Sequence, residues 1–411
     1  MNEKLKDILR PIIPDFIINM REEARNRRDL ALLKDYEHMS IPCGGDKPFG
    51  VNLYGDNAAG TGLSRSASII IRELKERGVP VHFHRVEEWS GLPVPEGDEG
   101  EGDYAINIFH LQPAVFLRSM KHISQDVLKG HYNIAYWLWE TPDLPPVWKE
   151  VCDFFDEIWC PSRFIADAVR KVTSKEVFPV HYGFYDIEER DGNAFRKKYG
   201  IPADAFVVLI LYDARSSAVR KNPDAAVKAF AKAFPEMPDD VFLILKGKNF
   251  TAAMKRKLMK VLGDRKNVIQ IDKLLPWDEV KDMEAASDAL ISLHRAEGFG
   301  LPLAEMMSYG AVVVGTDYSS TTEFLDESCG CPVKYSLIKT KVTHKPYVRG
   351  TVWAEPDTDD AAEKLKKVYQ DRELAGKLGE AAKQRIREAL SPEKNSGELY
   401  ERLKYIYGVN D

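Results

Sequence analysis

Nowhere does the sequence run to about 18 consecutive apolar residues, the length that crosses a bilayer as a helix. Its opening, MNEKLKDILRPIIPDFIINMREE, also holds no apolar core of signal-peptide length. The expectation is a chain that neither spans a membrane nor leaves the cell by that route. Cysteine is scarce: Cys43, Cys152, Cys160, Cys329 and Cys331 are odd in number and form no C-x-x-C pair. That pattern argues against a disulfide framework or a zinc site and fits a reducing cytosol. An excess of basic residues is missing too. The formal net charge is −6, whereas a nucleic-acid binder concentrates uncompensated Lys and Arg, so no nucleic-acid partner is expected. Low-complexity tracts and short-period repeats are absent. No G-x-G-x-x-G follows the first strand expected in either half, which disfavours a dinucleotide-dependent dehydrogenase.

What is present is alternation. With 411 residues, 44% of them apolar, the chain exceeds what one core usually serves and can build two. Short β-branched or aromatic runs alternate with helical periodicity, the pattern of parallel strands joined by crossover helices. In the first half FGVNLYG (49–55), PVHFHRV (80–86), YAINIFH (104–110), YNIAYWLW (132–139) and FDEIWCPS (155–162) predict strands, and SRSASIIIRELKERG (64–78) predicts a helix. The second half repeats the pattern with AFVVLILYD (205–213), VFLILKGK (241–248), NVIQID (267–272), DALISLH (288–294) and AVVVGT (311–316). The polar, turn-rich segment 181–193 separates the halves. We therefore expect an α/β protein with a first domain over 1–185, a second over 186–391, and a last helix within 392–411 crossing back to the first. Such domains bind ligands at the carboxyl ends of their strands. The acidic segment EGDEGEGD (96–103) reads as a solvated loop.

The stretch SLHRAEGFGLPLAEMMSYGAVVVGT (292–316) begins where one of these strands ends. Gly298 and Gly300 suit a bend, Pro302 suits the first turn of a helix running to Tyr309, and Gly310 suits its stop. Free N–H groups around Phe299, Gly300 and Leu301, with the positive helix end, would hold an anion such as phosphate. Glu297 lies on the bend and Glu305 one turn into the helix. Two acids beside an anion site make sense as acceptors for hydroxyls, and a nucleoside-diphosphate sugar offers hydroxyls on both sides of its diphosphate. Arg215, Arg220 and Lys221, after the first strand of the second half, supply positive charge at the same end of the sheet.

Glu297 and Glu305, seven residues apart, resemble the E-x7-E signature of the retaining GT-B glycosyltransferases, the glycosyltransferase family 4-like enzymes. LYDARSSAVRKNPDAAVKAFAKAFP (211–235) is similar to that family's phosphate-binding strand, loop and helix. VNLYGDNAAGTGLSRSASIIIREL (51–74), YNIAYWLWETPDLPPVWKE (132–150) and DEIWCPSRFIADAV (156–169) are similar to the N-terminal half of members that assemble bacterial surface polysaccharides. The resemblance covers about residues 50–330. It implies a GT-B fold, two Rossmann-like domains facing a cleft, that moves a sugar from a nucleoside-diphosphate sugar to a hydroxyl of a glycan or lipid-linked glycan acceptor with retention. In that picture Glu297 holds the donor sugar, Glu305 and Thr322 line the donor pocket with Glu305 on the ribose, and Lys221, Arg215 and Arg220 meet the diphosphate. His110 would steady the sugar from the opposite wall, with Gln112 where some members have a second His. No cofactor and no metal are implied. The place is the cytoplasm, with peripheral association at the inner membrane face left open.

Other readings stay beside these. Gly60, Thr61 and Gly62 predict a close backbone approach at the cleft floor, and Glu140 and Arg163 end first-half strands where an acceptor would lie. Ser162 also reads as a plain helix cap, and Trp137 and Trp139 as core. His82 and His84 share a strand face but have no partner ligand nearby in sequence. Asp357-Thr358-Asp359 spells a D-x-D but precedes a helix it would cap. Ser319-Ser320 stands where the family has Gly-Gly. A GT-B nucleotide-sugar epimerase and a non-catalytic glycan-binding protein of the same fold remain alternatives.

Overall fold

The computed structural model describes residues 15–31, 46–56, 62–86, 100–120, 125–184, 190–344 and 346–408. Two six-stranded parallel sheets dominate. The first contains β1 (Val51–Gly55), β2 (Val81–Arg85), β3 (Ile106–Phe109), β4 (Tyr132–Tyr136), β5 (Glu157–Cys160) and β6 (Glu176–Pro179), in the order β2-β1-β3-β4-β5-β6. The second contains β7 (Phe206–Asp213), β8 (Val241–Lys248), β9 (Val268–Asp272), β10 (Ala289–Ser292), β11 (Val312–Thr316) and β12 (Cys331–Val333), in the order β12-β11-β10-β7-β8-β9. A separate antiparallel hairpin pairs β13 (Tyr335–Lys339) with β14 (Val352–Pro356). Strands β6 and β12 and this hairpin have no counterpart in the sequence reading. The first two are short edge strands, and the hairpin lies outside the alternating pattern. The strand expected over 132–139 stops at Tyr136, because the chain beyond it turns to place the Trp139 carbonyl against the second half.

Both strand orders reverse once. In the first sheet the reversal falls between β1 and β3, in the second between β7 and β10. The loops leaving these neighbouring strands diverge, so a crevice opens at their carboxyl ends. His110 follows β3 and Gly62 follows the β1 loop. Lys221 follows β7 and Glu297 follows β10. Every crevice-forming loop thus carries a residue singled out from the sequence.

Periodicity explains the helices. Gly62–Glu76 buries Ser66, Ile69, Ile70, Glu73 and Leu74, one stripe at three- and four-residue spacing, against the first sheet. Asn52, Asn107 and Asn133 stand in register on β1, β3 and β4 and pass one hydrogen bond along the row: Asn52 Nδ2 donates to Asn107 Oδ1 at 2.9 Å, and Asn107 Nδ2 to Asn133 Oδ1 at 2.8 Å. Asp357 caps Thr358–Gln370 by accepting from the N–H groups of Asp359 and Asp360, so the D-x-D is spent on a helix end. His82 bonds the Gly102 carbonyl, and His84 stacks on Tyr54 with ring centroids 4.4 Å apart. Among the described residues no cluster of three or more His, Cys, Asp or Glu could hold a metal. The four described cysteines are free and buried, and Cys43 lies outside those residues. No described helix is long and apolar enough to cross a membrane.

The two halves meet at a double crossing. The Phe184 N–H donates to the Leu390 carbonyl at 2.7 Å, and Asn395 on the terminal helix Pro392–Tyr407 donates to the Tyr182 carbonyl at 2.9 Å. Arg402 of the same helix reaches Glu157, and Arg77 donates to Ser396 at 2.9 Å, so that helix lies on the first half. Glu73 accepts from the Gly183 N–H at the crossing, and burial pushes its carboxyl up to about 8. A carboxyl raised in the folded state above its usual value near 4.5 stabilises the fold fully below that value. The contribution fades as pH rises through about 8. Glu73 therefore lowers stability with rising pH across 5–8, by at most about 1.4 kcal/mol per pH unit. Urea unfolding at pH 6, 7 and 8 should show this slope in the wild type and its loss in Glu73→Gln; parallel profiles would refute it.

Candidate active site

Lys221 and Glu297 meet directly where β7 and β10 diverge. Arg220 lies on the other carboxylate oxygen of Glu297 at 3.3 Å and is almost wholly buried. Its guanidinium also donates to the Ala296 carbonyl at 2.7 Å and to Ser216, and it faces Glu140 of the first half at 3.4 Å. Tyr347 completes the chain by donating its hydroxyl to Glu140 at 2.7 Å. Burial pushes the Glu297 carboxyl up, but Lys221 and Arg220 outweigh it and hold it down at about 2. Glu297 is therefore ionised throughout the physiological range. Burial works against the charge of Arg220, yet Glu140, Tyr347 and Glu297 together push its pKa up.

The backbone around this pair is strained. Ser217, Asn222 and Ser319 are three of the four described non-glycine residues with left-handed φ, at 62°, 53° and 70°. Each such angle costs ~1–3 kcal/mol and persists only where surrounding contacts impose it. Ser319 accepts from the Glu297 N–H at 2.8 Å, and Ser320 donates to the Glu297 carbonyl at 2.5 Å. The two serines thus clamp the acid's backbone from both sides. Gly298 comes so close to the first half that a Cβ there would lie 2.6 Å from the Trp139 carbonyl oxygen, and Ser162 donates to the Gly298 carbonyl at 3.0 Å. Ser162 also caps the helix Arg163–Arg170, the role read for it from the sequence. Trp137 and Trp139 are buried, and Trp139 packs on Tyr347 with ring centroids 5.4 Å apart.

Gly300, at φ 96°, turns the chain into the helix Leu301–Ser308. Phe299 is buried edge-on against Tyr182, with centroids 4.8 Å apart. Glu305 is buried one turn along and pairs at 3.5 Å with Arg65, which comes from the first half and stacks over Trp277 at 4.3 Å. Burial pushes the Glu305 carboxyl up, partly offset by Arg65, and burial with repulsion from Glu305 pushes neighbouring Glu284 up as well. Glu305 Oε1, Arg65 Nε and Asn222 Nδ2 are buried without a hydrogen-bond partner in the protein. A small cavity at the ends of β7 and β10 is lined by Lys221, Ser292, Pro302 and Leu303.

His110 is buried, bonds Ser66 through Nε2 at 2.7 Å and is pushed by burial down to about 4, so it is neutral at pH 7. Gln112 donates to the Leu138 carbonyl at 3.2 Å. Thr322 is exposed and bonds within its own turn, donating to the Ser319 carbonyl. Its neighbour Glu323 accepts from the Phe164 N–H at 3.2 Å and meets His181 at 2.8 Å, a further bridge between halves. Arg163 is exposed at the start of its helix. Gly62 begins a helix, whereas Gly60 and Thr61 lie outside the described residues. Arg215 sits in the turn Ala214–Ser216, and its side chain is likewise outside them. The structure thus gathers Glu297, Lys221, Arg220 and Glu140, with Glu305 one helical turn from the bend. Tyr347, Arg65 and Trp277 join the cleft unannounced. Tyr347 is in the hairpin connection, where no periodic signal places a residue; Arg65 follows the Gly60–Gly62 loop, and that position is the one cue it carries.

Removing the guanidinium would leave Glu140 and Glu297 as buried carboxylates short of a counter-ion. Arg220→Ala should therefore cost about 3–5 kcal/mol of unfolding free energy, while Tyr347→Phe, losing one hydrogen bond to a charge, should cost about 1.5–3 kcal/mol. Urea denaturation monitored by circular dichroism measures both. An Arg220→Ala loss below about 1 kcal/mol would show that Arg220 does not carry this charge balance.

Residues 191–385 match the family described as Glycosyl transferases group 1. The N-acetyl-alpha-D-glucosaminyl L-malate synthase of Bacillus anthracis is 26% identical over 227 residues, which cover 54% of this chain and 52% of that protein, so the match spans about half the length of the curated relative. Among solved structures, Alr3699/HepE of Anabaena, in complex with UDP and glucose, superposes with a TM-score of 0.62 at 14% identity over 87% of this chain and 100% of the other. A glycosyltransferase from Rickettsia africae ESF-5 gives a TM-score of 0.65 at 12% identity over 88% of this chain and 100% of the other. Residues 191–385 thus match the glycosyl transferases group 1 family, within a chain whose two facing parallel-sheet halves make the GT-B fold.

Proposed function

We propose that the protein transfers a sugar from a nucleoside-diphosphate sugar to a hydroxyl of a glycan or lipid-linked glycan, with retention of anomeric configuration. The observation that carries this reading is Glu297 held ionised between Lys221 and Arg220, beside a helix N-terminus and at the carboxyl end of the second sheet. The Anabaena structure, in complex with UDP and glucose, supports a donor of this class.

In the reaction the Lys221 ammonium, partly exposed, neutralises the departing diphosphate together with the free N–H groups of Leu301–Ser308. Arg215 adds charge from the same loop. Arg220, buried with both terminal nitrogens on protein acceptors, holds Glu297 in place rather than meeting the phosphates. Glu297 accepts hydroxyls of the donor sugar, and its negative charge matters more as the sugar gains positive character. Glu305 accepts the ribose hydroxyls, displacing Arg65. His110 enters neutral and steadies the sugar from the first half. Among the described residues no side chain stands as a covalent nucleophile. The acceptor therefore attacks from the face the diphosphate leaves, and a departing phosphate oxygen takes its proton. Glu140 and Arg163 border the acceptor side. No metal is called for, and the place is the cytoplasm.

Kinetics with a panel of nucleoside-diphosphate sugars tests this. Glu297→Gln should lower kcat by on the order of a hundredfold, as loss of one transition-state contact does. Glu305→Gln should raise the donor KM by roughly tenfold while sparing kcat, since a ribose contact is nearly equal in ground and transition states. Unchanged constants, or the two effects exchanged, would refute the roles. Lys221→Ala should slow transfer by at least about tenfold. Excess chelator should leave turnover intact, and abolition with rescue by Mg²⁺ would return Asp357 and Asp359 to consideration.

A further inference from the structure

Of the nine large apolar side chains exposed among the described residues, five, Tyr335, Leu337, Ile338, Val342 and Val348, fall in one hairpin and its connection. Every residue of β13 is exposed, with Leu337 57% accessible. The strand is the outer edge of a two-stranded sheet, because β14 on its other side is tied to the second half through the Ala354 N–H and the Arg295 carbonyl at 2.9 Å. An exposed apolar edge of this kind is a liability in water unless something covers it. The charge is equally one-sided. From 328 to 354 the sequence has no Asp or Glu but contains Lys334, Lys339, Lys341, Lys345 and Arg349, in a chain of net charge −6. Lys339, Lys341 and Arg349 are exposed.

From this combination we infer that the β13–β14 hairpin docks the protein on an anionic lipid bilayer. Apolar side chains interleaved with cations suit the headgroup boundary, where the first sink beside the acyl chains and the second meet phosphates. Depth is limited by the unpaired backbone of β13, which needs water or headgroups to satisfy it, so the strand lies in the interface rather than below it. A second copy of the chain fits less well, since it would bring the same positive charge to the contact. A soluble polyanion would use the cations and leave the apolar side chains without a role. The base of the hairpin is rigid: Trp353 and Ala354 are buried, and Tyr347 in its connection packs on Trp139 and bonds Glu140 beside the cleft. Docking therefore brings the Glu140 side of the cleft to the lipid surface. Its usefulness rests on the transferase reading with a lipid-linked acceptor; the binding itself does not.

Co-sedimentation of the full chain with vesicles, without any substrate, tests the surface. The wild type should bind vesicles of equal parts phosphatidylcholine and phosphatidylglycerol and not phosphatidylcholine alone. Both Leu337→Ser/Val342→Ser and Lys339→Glu/Lys341→Glu should reduce partition by at least about tenfold, with far-UV circular dichroism unchanged. Absence of wild-type binding to the anionic vesicles, or equal binding by the variants, overturns the proposal. So does self-association in sedimentation velocity that either double variant abolishes while vesicle binding stays. Vesicle binding that survives a failed transfer assay would keep this surface and discard the catalytic reading, and the converse result would do the opposite.

Discussion

A cation with nearly all its surface removed from water must find anionic and carbonyl acceptors or it cannot stay buried, and Arg220 finds them on both sides of the cleft. Its partners come from the β10 bend, the turn after β7, and Glu140 beyond β4. Because one planar group serves them all, their relative positions are fixed together. Glu297 cannot swing without leaving Arg220 and Lys221 unbalanced, and Glu140 cannot retract without releasing Tyr347. The strained angles at Ser217, Asn222 and Ser319 lie beside the same charge.

Other contacts between the halves have a different character. Ser162 to Gly298, Phe164 and His181 to Glu323, and Arg65 to Glu305 are polar and small, and they stand beside ring contacts such as Phe299 on Tyr182 and Tyr347 on Trp139. Polar contacts exchange with water at little net cost, which is the usual property of surfaces that part and rejoin. The double crossing at Gly183, Phe184 and Leu390 also joins the halves. Burial weakens the charge of Glu305, and hydroxyl donors would restore it by favouring the carboxylate.

Much of this was readable from residues alone, and the reasons differ by element. Parallel strands were legible because β-branched runs separated by helical periodicity have few other interpretations, whereas the order in which they pair was not, since no local pattern states it. Glu297, Glu305 and Lys221 were legible because a Gly-rich bend, a Pro-started helix and a basic loop each state local geometry. Tyr347 was not, since its partner Glu140 is 207 residues away and no local pattern announces a tertiary hydrogen bond. Arg220 could be placed near the site, but its burial depends on Ser216, Ala296 and Glu140 converging, which is a property of the assembled halves. Ser319 looked like a departure at a position where glycine serves relatives. In the fold it accepts the left-handed angle and uses its hydroxyl to hold Glu297, a trade of backbone freedom for a side-chain bond.

A parallel sheet covered on both faces has a weakness that the Asn52, Asn107 and Asn133 row addresses. Its strands are apolar on both sides, so a slip by two residues would exchange one set of buried aliphatics for another with little penalty from patterning. Three amides that satisfy one another only when level remove that tolerance, because any displaced arrangement strands polar groups in the interior. The row acts as a vernier between β1, β3 and β4. It sets the height at which each strand ends, and so how far the His110 and Gly62 loops stand above the sheet when they meet the opposing half.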